Sequence, residues 1–374
     1  MNLFPDDVLS LSLLSSRKIA VTIASQTQTV QTLPRYDLAK SYRWNYDHAP
    51  EPTAIEIPPV DGDWTFCGLQ AASPLGMPAG PLLNGKWILY YASLGFDVLT
   101  YKTVRSGFRE CYELPNLVPV KTGPLNGSEE RLSESPSMNG SWAVSFGMPS
   151  MLPDEWRRDV EWTRENLSVE KLLSVSVVGT VQAGWSIADL AEDYAQCVRW
   201  AVDSGADAVE MNFSCPNVAT CDGQLFQQPD DASTVAQAAR EAAGSKPVIV
   251  KIGHVTDRDS AIALLDALSE SVDAIAMTNS VAATIESSGE LLFDGQKRGI
   301  CGAATREAST TQTRLFAELI RERGETTRLI GVGGASNQGD VRAYLDAGAE
   351  CVHIATAAMV DPLTGIRIRQ GLAQ

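Results

Sequence analysis

From about residue 67 the chain alternates short, fully apolar runs with amphipathic stretches. Apolar runs bounded by turn residues predict buried strands, whereas apolar residues that recur on one helical face predict helices. The stretch 187–202 is an example of the second kind, with Ile187, Leu190, Tyr194 and Val198 on one face. The pattern predicts a strand followed by a Gly/Pro turn at residues 71–80, and strands at residues 96–102, 172–178, 208–211, 248–252, 274–278, 329–332 and 352–355. It predicts helices at residues 86–94, 187–202, 232–243, 260–268, 310–323 and 339–347.

This alternation predicts an α/β fold with a parallel sheet covered by helices. Eight strand-helix units favour a closed (β/α)8 TIM barrel. A doubly wound open sheet is the alternative, because a strand count alone does not prove closure. We expect residues 1–60 to be an N-terminal extension and residues 61–374 to be the barrel domain. The stretch 103–151 is rich in Gly, Pro and Ser, and its length predicts a lid over the barrel mouth.

Composition narrows the classes of function. A net charge of −16 argues against nucleic acids and anionic membrane surfaces as partners, because both require basic patches. The seven cysteines are scattered and odd in number, which favours free thiols in a reducing cytosol over a disulfide framework. None of the three histidines has zinc-ligand spacing to a cysteine, so no metal is expected. Without a long apolar run or a recognisable leader peptide, the chain is predicted to be cytoplasmic.

Polar side chains stand where several predicted strands end. They are Lys102, Asn212, Lys251 and Asn279. In (β/α)8 barrels the chemistry lies at the carboxyl ends of the strands, so this grouping predicts a site. A lysine at a strand end is more commonly a snorkelling surface residue, and a structural ion pair with a glutamate is the alternative for Lys251.

The stretch 208–217, AVEMNFSCPN, begins as a buried strand and ends as a polar loop. The proline at 216 disfavours helical backbone at Cys215. A thiol flanked by Asn212, Ser214 and Asn217 is a candidate reactive group, and a buried structural cysteine is the alternative.

A second candidate lies late in the chain, at Gly333 and Gly334. Glycines allow backbone N–H groups to approach a phosphate closely, and a helix that begins after them adds a favourable dipole. A second small-residue loop follows at residues 355–357, which favours a phosphate site over a plain tight turn.

Asn212-Phe213-Ser214-Cys215-Pro216-Asn217 resembles the N-x-S-C-P-N signature of the dihydroorotate dehydrogenase family, in its soluble, cysteine-using class 1. Gly223-Gln224-Leu225 also resembles that class, and the resemblance extends over roughly residues 68 to 368. It implies an FMN-dependent oxidoreductase of pyrimidine biosynthesis that oxidises dihydroorotate to orotate, and a homodimer. Cys215 would be the base, and hydride would pass to flavin N5.

The resemblance also implies roles for individual residues. Lys102 would lie near both flavin and substrate as a second catalytic residue, and Lys251 would face the N1/O2 edge of the flavin. The implied cofactor-binding residues are Ala79, Gly80, Lys102, Asn212, Lys251, Gly333, Gly334, Ala355 and Thr356. The implied substrate-binding residues are Lys102, Gly147, Met148, Asn212, Asn217, Asn279 and Ser280.

The segment 143–150 departs from the family pattern. The family has asparagine where Val144 stands, and often where Ser150 stands, so one contact to the substrate ring is expected to be missing. A flavoenzyme acting on another dihydropyrimidine or cyclic amide is therefore an alternative. A flavin-free, phosphate-binding lyase or isomerase and a flavin-binding barrel without catalysis are two further alternatives.

Overall fold

The computed structural model describes residues 33–214 and 221–373. Within them, eight parallel strands pair in the order in which they follow along the chain, and the last pairs with the first. This closure confirms the predicted (β/α)8 barrel and excludes the open sheet. The barrel strands are Leu75–Met77, Val98–Val104, Leu172–Val177, Ala208–Asn212, Val248–Lys251, Ala274–Met277, Arg328–Val332 and Cys351–His353.

Helices cover the outside of the barrel. They are Gly85–Ala92, Pro153–Asn166, Ile187–Asp203, Pro229–Ala243, Arg258–Leu268, Arg306–Arg323, Gln338–Asp346, Thr356–Val360 and Thr364–Leu372. The helix Pro153–Asn166 was not predicted, although it has a proline in its first turn and buries Trp156, Val160 and Thr163 along one face. In the described parts of the chain, no helix combines the length and apolar character that a membrane crossing requires.

The barrel strands alternate between two packed layers. In the strand Ala208–Asn212, Val209 and Met211 belong to the large core shared with the helices, whereas Ala208 belongs to the cluster inside the barrel. Because successive side chains of a strand point to opposite faces, Glu210 and Asn212 point inward with Ala208. The same alternation makes every second strand residue a candidate for the site at the barrel mouth.

An antiparallel hairpin closes the amino-terminal end of the barrel. Its strands are Trp64–Phe66 and Leu69–Ala71, and Phe66 packs in the cluster inside the barrel. The predicted strand at 71–80 is therefore wrong at its start, because Ala71 ends the hairpin and the barrel strand begins at Leu75. Pro74 separates the two elements, since proline cannot donate a hydrogen bond to a strand ladder.

A second sheet of six strands stands apart from the barrel strands. The predicted lid segment supplies three of its strands, and the connection between the sixth and seventh barrel strands supplies the other three, which were not predicted. The strands are Leu117–Lys121, Arg131–Glu134, Ser141–Val144, Val281–Ser287, Glu290–Leu291 and Arg298–Gly302. The sheet has an apolar cluster of its own, which includes Val118, Val120 and Ile300. The stretch 103–151 thus folds into an ordered sheet, and its action as a lid remains a prediction.

Residues 33–60 pack on the side of the barrel and include the helix Tyr42–Asp47. The indole N–H of Trp87 donates to the carbonyl of Asn45 at 2.9 Å, and the hydroxyl of Tyr90 donates to the carbonyl of Pro34 at 2.6 Å. Tyr42 packs edge-on against Phe146, with ring centroids 6.0 Å apart. The described part of the expected N-terminal extension therefore packs against the helix Gly85–Ala92 and against Phe146 of the predicted lid segment.

Candidate functional site

A cavity of about 420 Å³ lies between the carboxyl ends of the barrel strands and the second sheet. The barrel contributes Lys102, Asn212 and Lys251 to its wall, and the second sheet contributes Trp142 and Val144. The volume falls within the roughly 300–1,000 Å³ of typical ligand pockets. The cavity thus occupies the end of the barrel at which such folds place their chemistry.

The structure brings together every predicted site residue that it describes. They line this one cavity and are Ala79, Gly80, Lys102, Gly147, Met148, Asn212, Lys251, Asn279, Ser280, Gly333, Gly334, Ala355 and Thr356. The predicted base Cys215 and the predicted substrate contact Asn217 lie outside the described residues. Val144 lines the cavity as well, whereas Ser150 is buried beside it and its hydroxyl accepts from the backbone N–H of Arg105 at 3.0 Å.

Asn212 ends its strand with the side chain at the cavity. Its carbonyl oxygen Oδ1 accepts from the backbone N–H of Ser214 at 3.1 Å, and Nδ2 lies 3.6 Å from the sulfur of Met148. Asn279 follows the barrel strand Ala274–Met277, which lies two strands away, and donates through Nδ2 to the backbone carbonyl of Ser214. Both polar backbone groups of the residue that precedes Cys215 are therefore fixed by asparagines of the cavity wall.

Lys251 is buried, with its side chain 7% exposed, and it lines the cavity. Its Nζ lies 3.9 Å from Oε1 of Glu210, whose side chain is 1% exposed. The structural ion pair that was the alternative for Lys251 is therefore present. The ion pair does not exclude a role at the cavity, because Lys251 also lines the cavity.

Cys111 is a second thiol near the catalytic candidates. Burial raises the pKa of the Cys111 thiol to about 12, although the nearby ammonium of Lys102 acts in the opposite direction. Cys111 is therefore protonated at neutral pH and cannot serve there as a base.

The late glycine loop leaves no room for a side chain at Gly334, whereas Gly80, in another loop of the cavity wall, does. Gly334 has a φ of +72°, and a Cβ added there would lie 2.5 Å from the carbonyl oxygen of Gly302. A Cβ added to Gly80, across the cavity, would meet nothing within 4 Å. The helices Gln338–Asp346 and Thr356–Val360 begin just after the loops at 333–336 and 355. Backbone that approaches this closely, with helices starting behind it, fits the phosphate end of FMN.

The second sheet adds an apolar wall that the sequence did not predict. It is formed by Leu117, Trp142 and Val144, with Met138 and Phe146 beside them. Cys301 also lines the cavity, and its sulfur lies 3.6 Å from the carbonyl oxygen of Asn279. Apart from Val144, which the family resemblance had placed near the substrate ring, no local signal marks these residues as site residues, because their place at the cavity depends on the pairing of two distant chain segments.

The sequence model for dihydroorotate dehydrogenase matches residues 63–374. The dihydroorotate dehydrogenase of Dictyostelium discoideum is 30% identical over 363 residues, which cover 89% of this chain and 96% of that protein. The catalytic subunit of dihydroorotate dehydrogenase B (NAD(+)) from Methanopyrus kandleri is 28% identical, covering 78% of this chain and 83% of its own. The crystal structure of DHODH from Eimeria tenella in complex with ferulenol superposes with a TM-score of 0.71 at 17% identity, covering 88% of each chain. This last similarity concerns the fold.

Proposed function

The chain belongs to the dihydroorotate dehydrogenase family, and from this premise we propose that it binds FMN and oxidises dihydroorotate to orotate. It is an oxidoreductase that acts on CH–CH groups, as the family is. One observation carries the finer proposal. Predicted site residues from many separate loops, chosen from sequence alone, line a single cavity at the catalytic end of the barrel. The homodimeric assembly implied by the resemblance is part of the same proposal.

Two groups of residues would hold FMN. Gly333, Gly334 and Thr356 would bind the phosphate with backbone N–H groups, where the tight glycine loop leaves no room for side chains. Gly80 would lie against the ring system, because no side chain projects from it into the cavity. Bound FMN supplies a hydride acceptor.

The substrate would be activated by residues of the chain. The Cys215 thiolate would take the proton from the ring carbon next to a carbonyl, while the neighbouring carbon gives up its hydrogen as hydride. One proton and one hydride leave dihydroorotate, and a C=C bond forms. Asn212 and Asn279 would hold the ring by directional hydrogen bonds, since their amides stand on the cavity wall. The apolar wall of the second sheet would limit water around the reacting carbons.

The first prediction concerns cofactor content. The purified protein is expected to be yellow and, after denaturation, to release a flavin that carries one phosphate. Gly80→Leu should lose at least about 90% of the bound flavin, because its side chain would enter the space that the ring needs. Flavin released per protein, read from the absorbance spectrum, is the measurement.

Gly107→Leu is the matched control. A Cβ at Gly107 also meets nothing within 4 Å, but Gly107 does not line the cavity. This variant should keep its flavin. A folded, colourless wild-type protein that cannot be reconstituted with FMN would contradict the proposed function, and would favour the flavin-free lyase or isomerase.

The second prediction concerns the substrate. Val144 lines the cavity without a polar group where the family has asparagine, so a polar atom of the ring facing it would lose a hydrogen bond of about 1–3 kcal/mol. Val144→Asn is therefore expected to raise kcat/KM for dihydroorotate by roughly 5- to 150-fold. Val144→Leu, which has the shape of asparagine without its amide, should give no gain.

An asparagine variant no better than the leucine variant would show that Val144 does not face a polar atom of the ring. The apolar wall favours a second candidate substrate in that case, a dihydropyrimidine or cyclic amide with a less polar ring. Reduction of the bound flavin by dihydrouracil, measured beside dihydroorotate, distinguishes the two substrates.

A further inference from the structure

The interior of the barrel below Lys251 is polar. In each strand that contributes to it, the residue two positions before belongs to the apolar cluster inside the barrel, so strand alternation turns these polar side chains inward as well. They are Thr100, Ser174, Glu210 and His353, and each is at most 1% exposed. Inward-facing positions of such barrels are usually filled by branched apolar side chains. Charged and hydrogen-bonding groups at this depth of a barrel are therefore unusual.

Glu210 is the acidic member of this group. Among the described residues, neither of its carboxylate oxygens has a hydrogen-bond partner. The opposite charge beside it is the ammonium of Lys251, at 3.9 Å. That distance is too long for a hydrogen bond, but a pair of charges so close and so well shielded from water still interacts strongly.

Lys251 lies between the cavity and the carboxylate of Glu210. Lys251 lines the cavity, and the carboxylate of Glu210 lies 3.9 Å from its ammonium, deeper in the barrel, because Glu210 pairs with Ile249 two residues before Lys251. An ammonium that points into a ligand cavity raises the affinity of that cavity for negative charge. A carboxylate behind the ammonium offsets part of that effect. The net field at the cavity therefore depends on Glu210 as well as on Lys251.

We propose that Glu210 is a positioning residue that acts through Lys251. As the buried counter-ion of Lys251, it holds the ammonium back from the cavity and so keeps the reduction potential of the bound flavin low. The inference rests on the proposed binding of FMN. Two-electron reduction increases the electron density of the flavin ring, so each unit of positive charge presented to the ring favours reduction and each unit withheld opposes it.

Glu210→Gln tests this inference. The amide keeps the shape of the side chain but removes the negative charge, so Lys251 should present its full charge to the cavity. The equilibrium for two-electron reduction of the bound flavin should shift at least about tenfold toward the reduced form, because a neighbouring unit charge changes such equilibria by a decade or more. A tenfold shift corresponds to a potential about 30 mV higher. Equilibration of the FMN-loaded protein with reference dyes measures the potential without turnover of substrate.

Ser174→Ala is the matched control. Ser174 is as deeply buried as Glu210 and its hydroxyl also has no partner among the described residues, but it carries no charge. The equilibrium for two-electron reduction of the flavin in this variant should remain within about twofold of the wild-type value. Glu210→Asp serves if the glutamine variant does not fold. The shorter side chain draws the carboxylate away from Lys251 and should shift the potential upward by a smaller amount.

The effect of Glu210→Gln should shrink below about twofold in a Lys251→Met background, since there is no ammonium left to release. A shift of full size in that background would overturn action through Lys251 and leave a direct field from Glu210. A folded, yellow Glu210→Gln or Glu210→Asp variant with the wild-type potential would overturn the inference altogether. A wild-type protein that takes up no FMN would instead contradict the proposed function, so the two failures are distinct.

Discussion

Replacement of Cys215 by alanine is expected to slow reduction of the bound flavin by dihydroorotate at least about 100-fold, the usual effect of removing a general base. The FMN content should not change, because none of the groups expected to bind the cofactor is altered. A free thiol has a pKa of about 8.5, so the wild-type rate should rise with pH above neutrality unless Lys102 lowers that value. Rapid mixing of oxidised protein with dihydroorotate, followed through the loss of flavin absorbance, gives the rate directly.

Cys111→Ser is the control for the loss of a thiol. Burial holds the pKa of Cys111 at about 12 even with Lys102 nearby, so this thiol supplies no thiolate at neutral pH. Its replacement should change the rate by less than about threefold. If Cys215→Ala reduced its flavin at the wild-type rate, Cys215 would be a structural cysteine and the proton would have to leave to another group.

The barrel strands were predictable because parallel strands are buried on both faces. Such strands appear as short apolar runs, and all eight runs correspond to barrel strands, with differences mainly at their ends. Closure was not predictable from the pattern. It depends on the pairing of Cys351–His353 with Leu75–Met77, which no local property of either segment specifies.

The second sheet was missed for the opposite reason. Ser141–Val144 pairs with Arg298–Gly302, a segment more than a hundred residues away, and both strands lie among glycine, proline and serine residues that indicate loops. Long-range pairing of this kind leaves little local pattern in the sequence. The apolar wall of the cavity was missed with it, since Trp142 and Leu117 belong to these strands.

The cavity residues were predictable where resemblance and strand ends agreed. Asn212 and Lys251 end barrel strands, Lys102 lies two residues before the end of Val98–Val104, and Asn279 lies two residues after Met277. The fold brings these strand ends together at the cavity. Glu210, by contrast, was not predicted as a functional residue. Glu210 lies in the middle of its strand, so nothing in the sequence distinguished an inward position from an outward one until the register was known.

The buried imidazole of His353 is expected to make the folded protein sensitive to acid. Burial, and then the positive charge of Lys251, lower the pKa of His353 to about 3. In the unfolded chain a histidine titrates near 6.5. Below that pH the unfolded chain binds a proton at this histidine, whereas the folded chain does not until the pH approaches 3. The contribution of His353 to stability is therefore complete above pH 6.5 and is lost as the pH falls toward 3. The full loss is about 5 kcal/mol, of which about 2 kcal/mol is lost between pH 6.5 and 5.

His353→Gln should remove that part of the acid sensitivity, because glutamine does not titrate. Denaturant unfolding at pH 7.5 and pH 5 measures the difference in the free energy of unfolding, and the variant should lose about 2 kcal/mol less than the wild type over this interval. His254 acts in the same direction, since burial also lowers its pKa against the opposing charge of Glu129, so some slope will remain. His48→Gln is the matched control, because His48 is an exposed histidine stacked on Trp44 and its replacement should keep the wild-type slope. An unchanged slope in His353→Gln would show that the imidazole of His353 is protonated as readily in the folded barrel as in the unfolded chain.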